Sequence, residues 1–104
     1  AWQSRRPARR HFPRLMRQLE CKIELHGRSY AGRTKDISFV GLSVAIDDAF
    51  SHVNGPALVF VEGITLKVSL IGATRVGYHT IAQFRVEGVD KGEEQWQALH
   101  MSGV

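Results

Sequence analysis

The chain holds 104 residues, 43% hydrophobic, 23% charged and 9% aromatic, which is enough apolar surface for one core and too little length for two. Its longest unbroken apolar run, Ala57-Leu58-Val59-Phe60-Val61, falls far short of the roughly 20 residues that carry a helix across a bilayer. The formal charge of +4 is concentrated at one end: residues 1–19 hold six arginines and no acid, while the remainder holds eight basic and ten acidic side chains.

Residues 1–14 read as a flexible basic arm. Pro7 and Pro13 break any helix there, and like charges along it repel one another, so it waits extended for an anionic partner. No apolar stretch follows the charges, so the arm is not a signal peptide. Residues 15–104 read as a single domain. From Leu15 the pattern turns to period two: Leu15, Leu19, Cys21, Ile23 and Leu25 share a face, which predicts one long half-buried strand. His26-Gly27-Arg28 predicts a turn and 29–35 the returning strand. Leu42, Val44 and Ile46 alternate again, 47–55 is a polar loop, and 57–61 is a short buried strand. Glu62-Gly63 marks a tight hairpin into the cleanest alternation of the chain, Ile64, Leu66, Val68 and Leu70. Val76-Gly77 marks another, into a last strand over 79–86. Past Gly92, Glu93 and Glu94 suit the positive end of a helix dipole, and Trp96, Leu99 and His100 fall on one helical face. Six antiparallel strands and one C-terminal helix indicate a small all-β barrel or sandwich.

Little in the chain supports catalysis. The histidines His11, His26, His52, His79 and His100 show no metal-ligand spacing, and no second cysteine accompanies Cys21. The single cysteine also excludes an internal disulfide and fits a reducing compartment. No glycine-rich phosphate loop occurs, and no histidine is placed as a base for a nucleophile, so the protein is not expected to be an enzyme. Two other segments carry recognition chemistry. Arg5-Arg6-Pro7-Ala8-Arg9-Arg10 sets guanidinium groups that fork onto phosphate and stack on planar bases. Asp36-Ile37-Ser38-Phe39-Val40-Gly41 interrupts the strand pattern. There Asp36 and Ser38 alternate onto one side, the carboxylate suits the paired N–H donors of guanine's Watson–Crick edge, and Gly41 allows a close backbone approach.

In that order, in a chain of this size and strand pattern, the two segments resemble the PilZ domain, a bacterial receptor for cyclic di-GMP. That family carries Arg-x-x-x-Arg in an N-terminal arm and Asp/Asn-x-Ser-x-x-Gly at the end of the second strand. Arg6 to Arg10, preceded by Arg5, match the first motif, and Asp36 to Gly41 match the second. Arg5 and Arg9 also satisfy the first spacing, while Ala82-Gln83-Phe84 departs from the glycine that the family often has before an aromatic. The resemblance implies a six-stranded antiparallel split barrel closed by a C-terminal α-helix. It further implies that Arg6 and Arg10 bind phosphate and stack on guanine, that Arg5 extends the clamp toward an intercalated ligand pair, and that Asp36 reads a guanine edge. Ser38 would then make a polar contact to the ligand, Gly41 would keep the wall open against the base, and Arg9, with Arg14 behind it, would add a contact.

By the same resemblance the domain would be cytoplasmic, without metal, and would regulate a larger system such as cellulose or other exopolysaccharide synthesis or motility. An opening at Ala1 reads as a segment of a longer chain, as in the cytoplasmic part of an inner-membrane glycosyltransferase. The alternatives are a small nucleic-acid-binding barrel, opposed by the net acidic body and the lack of an aromatic RNA-binding signature, and a PilZ-like domain that binds only protein.

Overall fold

The computed structural model describes residues 15–47, 50 and 54–101. Among these, six strands follow in chain order: β1 (Glu20–Leu25), β2 (Arg28–Ile37), β3 (Gly41–Ile46), β4 (Gly55–Val61), β5 (Ile64–Val76) and β6 (His79–Lys91). One helix, α1 (Glu93–Met101), ends the series. All six pairings are antiparallel, and the order β1-β2-β3-β6-β5-β4 closes on itself where β1 meets β4. Closure leaves no continuous open edge, which is how a sheet this small avoids pairing with its neighbours.

The tight corners are those the sequence marks. His26-Gly27 holds φ angles of 52° and 77°, and Glu62-Gly63 holds 51° and 76°. Two successive positive angles make the mirror-image turn whose twist matches paired strands, and glycine takes the second position without steric cost.

Alternation then sorts the side chains. Ile23 and Leu25, Leu42, Val44 and Ile46, Leu66, Val68 and Leu70, and Ala82 and Phe84 all turn inward and are at most 2% exposed. Each large side chain buried this way contributes roughly 1.5–3 kcal/mol, so the barrel wall dominates stability. Tyr30 and Phe50 meet edge to face at one end, with centroids 5.0 Å apart.

Two elements differ from their sequence pattern. The long strand expected from Leu15 starts only at Glu20; upstream of it, Leu15 makes an isolated bridge to Ile37. The fully buried Thr34 causes the break. Its hydroxyl accepts from the Leu19 N–H and donates to the Arg17 carbonyl, taking groups that a regular ladder would have used. The last hairpin is longer than its alternation suggests, because β5 reaches Val76 and β6 reaches Lys91. β4 stops at Gly55 opposite Leu70, so the distal part of β5 is exposed and carries little apolar signal.

Helix α1 packs against β5 and β6. At nine residues it is too short to hold its shape alone. Trp96 anchors it at 2% exposure, and the Gly92 carbonyl accepts the Trp96 N–H at 2.9 Å. His100 lies between Trp96, edge-on at 4.3 Å between centroids, and Phe39, stacked at 4.0 Å.

Candidate functional site

The site begins with an irregularity in β2. Thr34 faces Val44 on β3, but the next paired residue is Asp36, which faces Ser43. Lys35 is therefore an extra residue, a β-bulge. Were Lys35 paired in regular alternation, without the bulge, Asp36 would share the inward face with Thr34. With it the parity flips, and Asp36 turns out while Ile37, fully buried, turns in. The carboxylate thus reaches the outer wall of the barrel half-buried, beside the exposed Lys35.

The turn that follows is held by Ser38. Its backbone N–H donates to the Gly41 carbonyl at 2.7 Å, and its hydroxyl oxygen accepts from the N–H groups of Val40 at 3.3 Å and Gly41 at 3.1 Å. The hydroxyl also lies 3.2 Å from the Gly41 carbonyl, and the residue is 1% exposed. Asp36 faces outward, and the Ser38 hydroxyl makes its hydrogen bonds within its own turn. Phe39, the next residue, leaves the turn toward α1 and joins it to His100 and Trp96.

Gly41 opens β3 in a close approach to β6. A Cβ at this position would stand 3.0 Å from the Phe84 carbonyl oxygen. Register then lays out the outer wall. Asp36 on β2, Ser43 on β3 and Gln83 on β6 form one row, and Gly41 faces Arg85 in the next. Arg85 in turn faces Ser69 on β5 and donates through Nε to Glu87 at 3.0 Å; Glu87 also accepts from the Ser69 hydroxyl at 2.8 Å. Those two hydrogen bonds, Ser69 first and then Arg85, hold the Glu87 carboxyl below the usual carboxylate range. Ser43, Gln83 and Arg85 were missed in the sequence. Their period-two spacing shows which face they take, but only strand register brings them beside Asp36 and Gly41.

Arg5, Arg6, Arg9, Arg10 and Arg14 lie outside the described residues. The chain enters the described part at Leu15, whose N–H donates to the Ile37 carbonyl at 2.7 Å and whose carbonyl accepts the Ile37 N–H at 2.9 Å. The root of the arm is thus fastened to the residue between Asp36 and Ser38.

The remaining reactive groups lie elsewhere. Burial pushes the Cys21 thiol up to about 11, which leaves it a packed side chain rather than a nucleophile. Burial also pulls the His100 imidazole below its usual range, and its Nε2 has no hydrogen-bond partner among the described residues. Among the described residues no group of three or more His, Cys, Asp or Glu side chains gathers for a metal, and no helix is long and apolar enough to cross a membrane.

A closed antiparallel barrel with a polar turn and a fastened arm root on its outer wall is the architecture of a small binding domain. The chain belongs to the PilZ domain family, whose model matches residues 8–97. Its fold is similar to that of the Bacillus subtilis inhibitor of motility MotI/DgrA, with a TM-score of 0.75 and 16% identity, covering 94% of this chain and 51% of that one. The chain therefore spans about half the length of that protein. It is also similar to the PilZ domain of Escherichia coli YcgR, solved with c-di-GMP, with a TM-score of 0.64 and 18% identity over 92% of both chains. A search of curated protein sequences gives no match.

Proposed function

We propose that this domain binds cyclic di-GMP on the outer barrel wall at the Asp36–Gly41 turn and acts as the regulatory part of a larger system. The observation that carries the reading is the pairing of Leu15 with Ile37, which joins the root of the arginine arm to the Asp-x-Ser-x-x-Gly turn. Arg10 precedes Leu15 by five residues, so covalent geometry alone keeps it within about 18 Å of Leu15, which is paired directly to that turn. The shared fold of the c-di-GMP-bound YcgR domain supports the same ligand.

In this reading Arg6 and Arg10 fork onto the two phosphates and stack on guanine, while Arg5 and Arg9 extend the clamp and allow an intercalated pair of ligands. Asp36 accepts the N1–H and N2–H donors of guanine. Gly41 leaves bare backbone under the base. Ser38 acts by fixing the turn that presents Asp36. The ligand's negative charges offset the repulsion among the arginines and draw the arm onto the barrel, and that ordering is the regulatory signal. The signal acts in the cytoplasm, on motility, as in the inhibitor of motility that shares the fold, or on exopolysaccharide synthesis such as that of cellulose.

Calorimetric titration of the domain with cyclic di-GMP tests this, with GMP, cyclic di-AMP and a short single-stranded DNA as controls. Saturable binding of cyclic di-GMP alone is expected. Losing one charge-assisted phosphate contact costs roughly 1.5–3 kcal/mol, or about 10- to 150-fold in affinity, so Arg10→Ala should weaken binding at least about tenfold. Unchanged affinity in Arg6→Ala/Arg10→Ala rejects the site, and binding of DNA in place of the dinucleotide rejects the ligand.

A further inference from the structure

We infer that Arg85 is a specificity residue for the same ligand, reading the O6 and N7 acceptors of the guanine whose N1–H and N2–H donors lie at Asp36. The inference rests on the cyclic di-GMP reading above. Its starting point is the register of the outer wall. Asp36 and Arg85 stand two strands and two residues apart on one face, about 12 Å between Cα atoms from ordinary sheet spacings. That interval admits a purine with a hydrogen bond at each edge. On β3, the strand between them, the outward residues are the small Ser43 and Gly41, so among the described residues a flat base meets no bulky side chain on that strand.

The chemistry at Arg85 selects an uncharged acceptor edge over a phosphate. Glu87 takes the Nε hydrogen and balances the charge, and Ser69 holds Glu87 in place. A phosphate brought here would face the Glu87 carboxylate. The two terminal guanidinium nitrogens have no partner among the described residues, and the side chain is exposed. A guanidinium steadied at one nitrogen and open at two others is a donor pair, and the fitting acceptor pair on a nucleobase is O6 and N7 of guanine. Adenine offers an N–H donor in place of O6, so the same geometry rejects it.

The test is a titration cycle. Wild type and Arg85→Ala are each titrated with cyclic di-GMP and with its analogue bearing 7-deazaguanine, which lacks the N7 acceptor. Arg85→Ala should weaken cyclic di-GMP about 5- to 150-fold. The 7-deaza change should weaken wild type and add little in Arg85→Ala. Arg85→Lys keeps the charge but loses the fork, and it should lose discrimination against cyclic di-AMP. An unchanged affinity in Arg85→Ala, or a 7-deaza penalty of equal size in both proteins, overturns the inference while leaving the Asp36 site standing, provided Asp36→Ala still weakens binding. If wild type itself fails to bind cyclic di-GMP, both readings fall. A thermal melt of each variant excludes unfolding as the cause of any loss.

Discussion

Replacing Trp96 with alanine isolates what holds the helix and the turn together. The indole is 2% exposed, and truncating a buried Trp typically costs about 3–5 kcal/mol. Helix α1 has nine residues, fewer than an isolated helix needs, so nothing intrinsic replaces that anchor. The barrel closes through β1 and β4 without the helix, so the loss should fall on docking rather than on the whole fold. A loss of 3–5 kcal/mol amounts to roughly 150- to 5,000-fold in the docked population. Native-state hydrogen exchange should therefore show the amides from residue 96 to 101 losing protection by at least about 100-fold, with β1 and β4 largely unchanged. Phe39 touches both Trp96 and His100, so the amides of Val40 and Gly41 in the Asp36–Gly41 turn should lose protection too, by a smaller factor. Full protection of the helix in Trp96→Ala would refute the anchoring argument. Simultaneous loss across β1 and β4 would refute the separation of helix from barrel.

Three other outcomes follow from single contacts. Ser38→Ala strips the acceptor from two backbone N–H groups in a buried turn and should lower stability by roughly 1–3 kcal/mol, read as a drop of several degrees in Tm. Gly41→Val places carbon 3.0 Å from the Phe84 carbonyl and should cost about 1–3 kcal/mol in urea unfolding, with Gly41→Ala costing less. Burial holds the His100 pKa below its usual 6.5, so on acidification the unfolded chain takes up the proton before the folded one does. Its contribution is fully present above about pH 6.5 and is lost as the pH falls through the interval down to the folded pKa. The urea midpoint should consequently drop less between about pH 7.5 and 5 in His100→Leu than in wild type.

The barrel was largely legible because its strands obey a simple rule. Ile64, Leu66, Val68 and Leu70 alternate without a break, and Gly27 and Gly63 stand where two-residue turns need them. The helix followed from Gly92, two acids and the Trp96 face. The site was legible only in part. Asp36 and Gly41 stand out as residue types, but Thr34-Lys35-Asp36 contains nothing that announces a bulge, so strand alternation alone could not tell which face Asp36 takes. Leu15 fits the inward face of β1 as well as Leu19 does, and only the hydroxyl of Thr34 distinguishes a broken strand from a continuous one. Arg85 was unreadable because its neighbours, Gly41 and Ser69, lie 44 and 16 positions away along the chain.

Lys35 acts on its strand much as a single inserted letter acts on a reading frame. Everything before it is read against β3 in one phase and everything after it in the other. Were Lys35 instead paired in regular register, every chemical group of the Asp36–Gly41 motif would remain, yet the strand would bring a carboxylate into an apolar interior, so the frame slips by one residue here. Grafting the motif onto another barrel therefore means matching its phase to the host strand, either directly or through a one-residue slip of this kind.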